Sequence, residues 1–283
     1  MSEAENFQRK PIEFSAFCEC RKLTEIDLPD SLKTIGPWTF SFCRSLKGVS
    51  IPDSVTIIGA FAFCGCTAIE KLDLPHSTIY ILHGAFDSCT ALQKMQIPNS
   101  VIWIADMAFN DCTALKEVNI ADGVTKLGYS AFRNCSSLTS LQLPDSVMEI
   151  DDSLCEDCTS LATIELPESI DRISKYMFKG CSSLQSIKIP KGVKAIDDHA
   201  FENSRSLTEL FIPDGVTKLG WDIFDNCTSL ISLYLPASIQ NNLNYSLDNC
   251  ESIQEIWYGG TKEQWKKIVY GDMFEGIKIH FEN

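Results

Sequence analysis

The chain has 283 residues, 45% of them hydrophobic, and a formal charge of −14. Length and apolar content suffice for a large core, and the acidic balance argues against nucleic acid, since phosphate binding needs Lys/Arg patches and no basic stripe is present. No apolar run approaches the roughly 20 residues of a membrane helix, which excludes insertion of that kind.

Residues 1–11 are polar and read as a loose N-terminal edge, and Met1-Ser-Glu-Ala-Glu lacks the basic start and apolar core of a signal peptide. Beyond them the chain repeats with a period of 23 residues. Cys20, Cys43, Cys66, Cys89, Cys112, Cys135, Cys158, Cys181, Cys227 and Cys250 keep this step, and Ser204 fills the vacant site. Pro29 to Pro236 keep the same phase, broken at Ala121. Phe17 to Phe224 do so as well, broken at Cys155, with Leu247 beyond them. A fixed period in this range means a stacked solenoid.

Each unit reads A-F-x-x-C-x-S-L-x-x-I-x-L-P-D-S-V-x-x-I-G, and eleven copies are present, the first and last incomplete. L-x-x-I-x-L has the period-two character of a strand. P-D-S or P-D-G is turn chemistry, and V-x-x-I-G is a second short extended piece. A-F-x-x-C is too short for an isolated helix and reads as a helical turn held by packing. Stacking such coils one strand spacing apart, about 4.8 Å, builds parallel sheets over continuous inner ladders.

At the C-terminal end, Thr261-Lys-Glu-Gln264 fits a capping box, with Trp265 and Ile268 on the inner face of the helix that follows. Ile277-Lys-Ile-His-Phe281 alternates as a final strand. The sequence thus divides into a solenoid over 1–258 and a cap over 259–283, because solenoid ends need covering.

The motif L-x-x-I-x-L-P-x-S-V-x-x-I-G-x-x-A-F-x-x-C resembles the BspA-like leucine-rich repeat, a 23-residue class, over about residues 12–258. Tyr258-Gly-Gly-Thr-Lys-Glu-Gln-Trp-Lys-Lys-Ile268 resembles the closing segment of bacterial members. The resemblance implies a curved, right-handed coil with parallel β-sheet, used for adhesion or protein recognition, commonly at cell surfaces. It brings no catalytic residues and no cofactor. The family habit therefore points to a cell-surface or secreted protein and the opening residues to a cytoplasmic one; the sequence leaves both.

The ladder cysteines read as reduced structural thiols packed as small hydrophobes. Cys18 and Cys64 occupy equivalent positions two coils apart, about 10 Å, too far for a mutual disulfide. Cys155-x-x-Cys158 imitates a redox motif, but Cys155 replaces the repeat phenylalanine while Leu154 replaces the usual alanine, which reads as a volume swap. His76 and His83 lie in one repeat near Cys64 and Cys66, yet Cys66 is a ladder residue and His76 sits in a turn, so no metal site is expected. There is no G-x-S-x-G, H-E-x-x-H or phosphate-binding glycine loop, and no enzyme activity is expected.

Recognition would then use outward positions. Between the repeat Ile and Leu the outward residue runs Asp27, Ser50, Asp73, Gln96, Asn119, Gln142, Glu165, Lys188, Phe211, Tyr234, Trp257. The three closing aromatics, with Lys188 beside them, form a candidate partner site. Two readings stand for Phe211 and Tyr234, an open site or packing beneath the cap; the nearness of Trp257 to the cap favours packing there. A second apolar block, Ile57, Tyr80 and Trp103, lies in the V-x-x-I segments of three successive coils. The expected function is non-catalytic binding of a protein, or of a glycan, through these faces. The alternative is a structural, self-associating protein, a homodimer through the Ile57/Tyr80/Trp103 face.

Overall fold

The computed structural model describes residues 14–239, 243, 246–269 and 274–282. The polar edge expected over residues 1–11 lies outside the described residues. The chain winds as a solenoid of parallel strands, each coil contributing two short extended segments joined by two corners. The V-x-x-I segments form a six-stranded sheet: Thr34–Ile35, Ile57–Ile58, Tyr80–Ile81, Trp103–Ile104, Lys126–Leu127 and Glu149–Ile150. A three-stranded sheet of Arg172–Ile173, Ala195–Ile196 and Lys218–Leu219 follows. The L-x-x-I-x-L segments form one sheet from Lys94–Ile97 to Thr163–Glu165 and another from Glu209–Phe211 through Ser232–Leu235 and Glu255–Tyr258 to Lys278–Phe281. Among the described residues no helix is long and apolar enough to cross a membrane.

Register is fixed from inside. Alternation sends Ile35, Ile58, Ile81 and Ile104 inward, all fully buried, together with Leu46, Leu92 and Leu115 of the companion ladder. The repeat phenylalanines stack along the axis with ring centroids 5.4 Å apart for Phe17–Phe40, 5.4 Å for Phe63–Phe86 and 5.2 Å for Phe86–Phe109. Slipping one coil by a residue would turn every such side chain toward solvent, so the period of the sequence becomes the period of the structure. At the one interruption Cys155 lies buried beside Leu154 and Met177, both larger than the alanine usual at their positions.

The Ala-Phe-x-x-Cys corner is a pair of tight turns, not a run of helix. Ser15, Trp38, Phe61 and Met107 begin one row of left-handed residues; Glu19, Phe42, Ser88 and Asp111 begin a second, their φ values lying between 54° and 59°. Among the described residues two such positions recur from coil to coil, and they prevent a right-handed helix from propagating. Between them the amides bond alternately within the coil and to the next one: Ala62 N–H donates to Gly59 O at 3.2 Å, and Phe63 N–H to Ala85 O at 2.8 Å. The corner is thereby a hydrogen-bonded ladder in its own right.

Cysteine has a particular use in that ladder. The carbonyl of Phe40 accepts the Cys43 N–H at 3.0 Å within its coil and the Cys66 thiol at 3.0 Å from the next. Cys89, Cys112 and Cys135 repeat the contact to Phe63, Phe86 and Phe109 at 3.2 Å each. Ser204 makes it with its hydroxyl, 2.9 Å from Phe178 O, which explains why serine is the one substitute on this row. Both lone pairs of a buried carbonyl are thus used. The turn serines work similarly at the opposite corner, Ser77 and Ser146 donating to Val55 O and Val124 O at 2.6 and 2.7 Å.

All thirteen cysteines are free, and only Cys18 and Cys20 are not buried. Burial pushes the Cys43 and Cys64 thiols up to about 11 and Cys250 up to about 12, and raises Cys89, Cys112 and Cys227 well above the ordinary value.

Two outcomes follow from the thiol ladder. Native protein should label rapidly at Cys18 and Cys20 and elsewhere only after denaturation; disulfides found by mass spectrometry without reductant would contradict this. Above the ordinary thiol value of 9.0 the unfolded chain sheds protons that Cys43, Cys64 and Cys250 retain in the native chain. Stability should therefore hold below about pH 9 and fall as pH rises toward the native values of about 11 and 12. A urea midpoint unchanged between pH 8 and 11 would show that the ladder thiols ionise as freely when folded.

As for the donor itself, Cys112→Ser should cost no more than about 1 kcal/mol, whereas Cys112→Val, which fills the space without donating, should lose more, roughly 1–2 kcal/mol. Equal stability of the valine variant and wild type in urea would reduce the thiol to a filler.

Candidate recognition surface

The sheet from Glu209–Phe211 to Lys278–Phe281 places the aromatic row. Leu210, Leu233 and Ile256 point inward and are buried, so alternation turns Phe211, Tyr234 and Trp257 outward. Parallel pairing aligns Phe211 with Tyr234, Tyr234 with Trp257, and Trp257 with His280. Successive ring centroids lie 5.9, 6.0 and 3.8 Å apart. Phe211 is 62% exposed, Trp257 40%, and Tyr234 is half-buried.

His280 is the member that the sequence reading missed. The final strand pairs with Glu255–Tyr258 at the same 23-residue offset as the coils before it. Its signal was present: the step that leads from Tyr234 to Trp257 leads on to His280, and from Ile256 to Ile279. The imidazole lies nearly parallel to the Trp257 ring, at 3°, and its Nε2 is 3.0 Å from Glu255 Oε2.

Trp257 meets the cap on one face only: its ring stacks on His280 of the final strand at 3.8 Å and is still 40% exposed, while the cap helix packs elsewhere. The helix Lys262–Ile268 starts from the Thr261/Gln264 capping box and buries Trp265 and Ile268. Its target is Tyr258, one residue on and therefore on the inner side of the strand. Tyr258 is 2% exposed, with the Trp265 ring 5.2 Å away and Phe281 at 6.4 Å. The C-terminal segment thus covers the inner ladder and lengthens the outer row, leaving Phe211, Tyr234 and Trp257 open to solvent on their outer side. A shallow groove of about 420 Å³ runs along them, bounded by Asp214, Pro236 and Glu282.

Lys188 does not join this row. Its segment lies outside the paired strands, which resume at Glu209, and its ammonium is 2.6 Å from Glu168 Oε1. Upstream, the equivalent face is polar and held by exposed ion pairs, Lys71–Asp73 at 2.9 Å and Lys94–Glu117 at 2.7 Å.

Ile57, Tyr80 and Trp103 are brought together in register. All three are half-buried in their two-residue strands, and Ile102 beside them is 39% exposed. The next rung returns to charge, with Lys126 3.1 Å from Glu149 and 3.6 Å from Asp151. With its three lattice members half-buried, this block is less exposed than the downstream row, where Phe211 and Trp257 are exposed.

Among the described residues no group of three or more His, Cys, Asp or Glu side chains is arranged to hold a metal ion. His76 is exposed, and His83 stands 3.9 Å from Asp106 across neighbouring coils.

No curated protein matches this chain. Its fold is similar to that of a leucine-rich repeat protein from Bacteroides ovatus, 24% identical over 96% of this chain and 87% of that one, with a TM-score of 0.61. It is similar also to a leucine-rich cell surface protein from Faecalibacterium prausnitzii, 27% identical over 90% of this chain and 84% of that one, with a TM-score of 0.54. The BspA type leucine-rich repeat region matches residues 10–136, 103–231 and 171–279. These overlapping spans take in nearly all of the chain, and the protein belongs to the BspA-type leucine-rich repeat family.

Proposed function

We propose that this protein is a non-catalytic recognition module that binds a protein partner through Phe211, Tyr234, Trp257 and His280. The observation that carries the reading is a row of four rings on consecutive rungs of one sheet, with Phe211 62% and Trp257 40% exposed. A contiguous apolar face of this kind marks an interface, and Tyr and Trp are the residues most often found at binding hot spots. The lattice beneath holds the rings in place before binding, so little ordering entropy is lost on contact. A role in adhesion at a cell surface fits the same reading and draws support from the Faecalibacterium relative, which is named as a cell surface protein.

The test compares wild type with the double variant Phe211→Ala/Tyr234→Ala, in melting and in quantitative capture from an untargeted protein mixture. Exposed rings contribute little to folding, so melting should scarcely move, while partner capture should weaken, each ring being worth about 2 kcal/mol at an interface. A stability loss of roughly 3 kcal/mol or more with capture intact would overturn the reading, because it would make the rings core.

A further inference from the structure

The aromatic row stands in acidic surroundings, and this bears on what it binds. On one side the outward residues of the same strands are Glu209, Ser232, Glu255 and Lys278. On the other side Asp214 and Glu282 border the groove. Glu255 is occupied by His280 at 3.0 Å. Glu209, Asp214 and Glu282 are exposed, and none has an ion-pair partner among the described residues. Cations stand at three places around it: Lys278 on the last strand, Lys188 beyond Glu209 and already held by Glu168, and the Lys194 ammonium beside Gly215, next to Asp214 but not paired with it.

Resting on the recognition reading above, we infer that the row takes an arginine-bearing extended segment of its protein partner. Arginine matches both parts of the groove. Its aliphatic stem and planar guanidinium pack on aromatic surface, and its fork of donors pairs with carboxylates at the margin. A neutral apolar ligand would leave three carboxylates to be desolvated without compensation, and an acidic one would be repelled by them. Spacing agrees as well. Alternate side chains of an extended peptide recur at about 6.7 Å, close to the 5.9 and 6.0 Å between rings. A peptide lying across the strands can therefore set successive side chains near Phe211, Tyr234 and Trp257, with Trp257 and His280, 3.8 Å apart, acting as one stacked surface.

Overall charge alone would draw basic peptides to a chain of −14, so the experiment must separate the groove from the general field. A random peptide display library is selected on wild type and, in parallel, on Phe211→Ala/Trp257→Ala, which keeps every charge. Glu209→Gln/Asp214→Asn/Glu282→Gln, which keeps every ring, is the third target. The inference expects an arginine-rich pool on wild type whose members bind both variants about tenfold or more weakly, or some 1.4 kcal/mol. Equal binding of that pool to wild type and the aromatic variant would overturn it, since attraction would then be diffuse. A ring-dependent pool that is neutral or acidic would also overturn it while leaving the row as a protein-binding site. Ring-dependent binding to an oligosaccharide array, with no ring-dependent peptide pool, would overturn it in favour of a glycan. If ring removal changes neither these pools nor capture from the protein mixture, the recognition reading falls too.

Discussion

The constraint on which this molecule depends is that buried backbone carbonyls must be bonded from coil to coil. In a solenoid of 23-residue turns, strands satisfy that need only along their own few residues. The corners must satisfy it as well, and they do so by alternating bonds within the coil with bonds to the next, and by left-handed residues that allow the chain to turn without helix. Small donors complete the scheme. Thiols and turn hydroxyls reach carbonyls of the preceding coil at opposite corners, as Cys66 does to Phe40 and Ser77 to Val55. Leucine and phenylalanine ladders supply the apolar burial and fix the register, and the small donors satisfy the carbonyls that the register leaves at the corners.

Such a frame frees its outward positions from folding. A residue between two inward ladder members contributes its backbone to the sheet and leaves its side chain to the solvent, so charge, amide or aromatic ring fits equally well. Most rungs use this freedom for polar residues and exposed ion pairs of small energetic weight. The rungs from Phe211 to His280 use it for four rings bordered by unneutralised carboxylates. Under the proposed function, recognition is carried by residues on which folding makes little demand, arranged by residues on which it demands a great deal.

The recurrence of Cys, Phe and Pro made the architecture legible, because a fixed phase in sequence has one simple structural cause. Outward aromatics followed from period-two alternation. Other features were hidden for stated reasons. The left-handed corners place Trp38, Phe61 and Tyr176 at positive φ, where sequence reasoning looks for glycine or asparagine; hydrogen bonding from adjoining coils holds them there. The thiol's role as donor was not evident from composition, although Ser204 on the cysteine row hinted that a proton matters as much as volume. Trp257 and Tyr258 are neighbours with opposite fates: alternation turns Tyr258 inward to the cap helix, and the final strand's pairing sets His280 against Trp257. Lys188 shares the lattice phase of Phe211, yet a side-chain contact with Glu168 and a gap in the sheet separate the two.

Native-state hydrogen exchange resolved by residue tests most directly whether corners and strands form one continuous ladder. The amides of Phe63, Phe86 and Phe109 sit in corners and donate to the next coil at 2.8, 2.8 and 2.9 Å. If coil-to-coil pairing runs unbroken through the corners, these amides should exchange as slowly as those of Met95 and Val118 in the neighbouring strands, all opening only with global unfolding. Corner amides that exchange freely while the strand amides stay protected would contradict it.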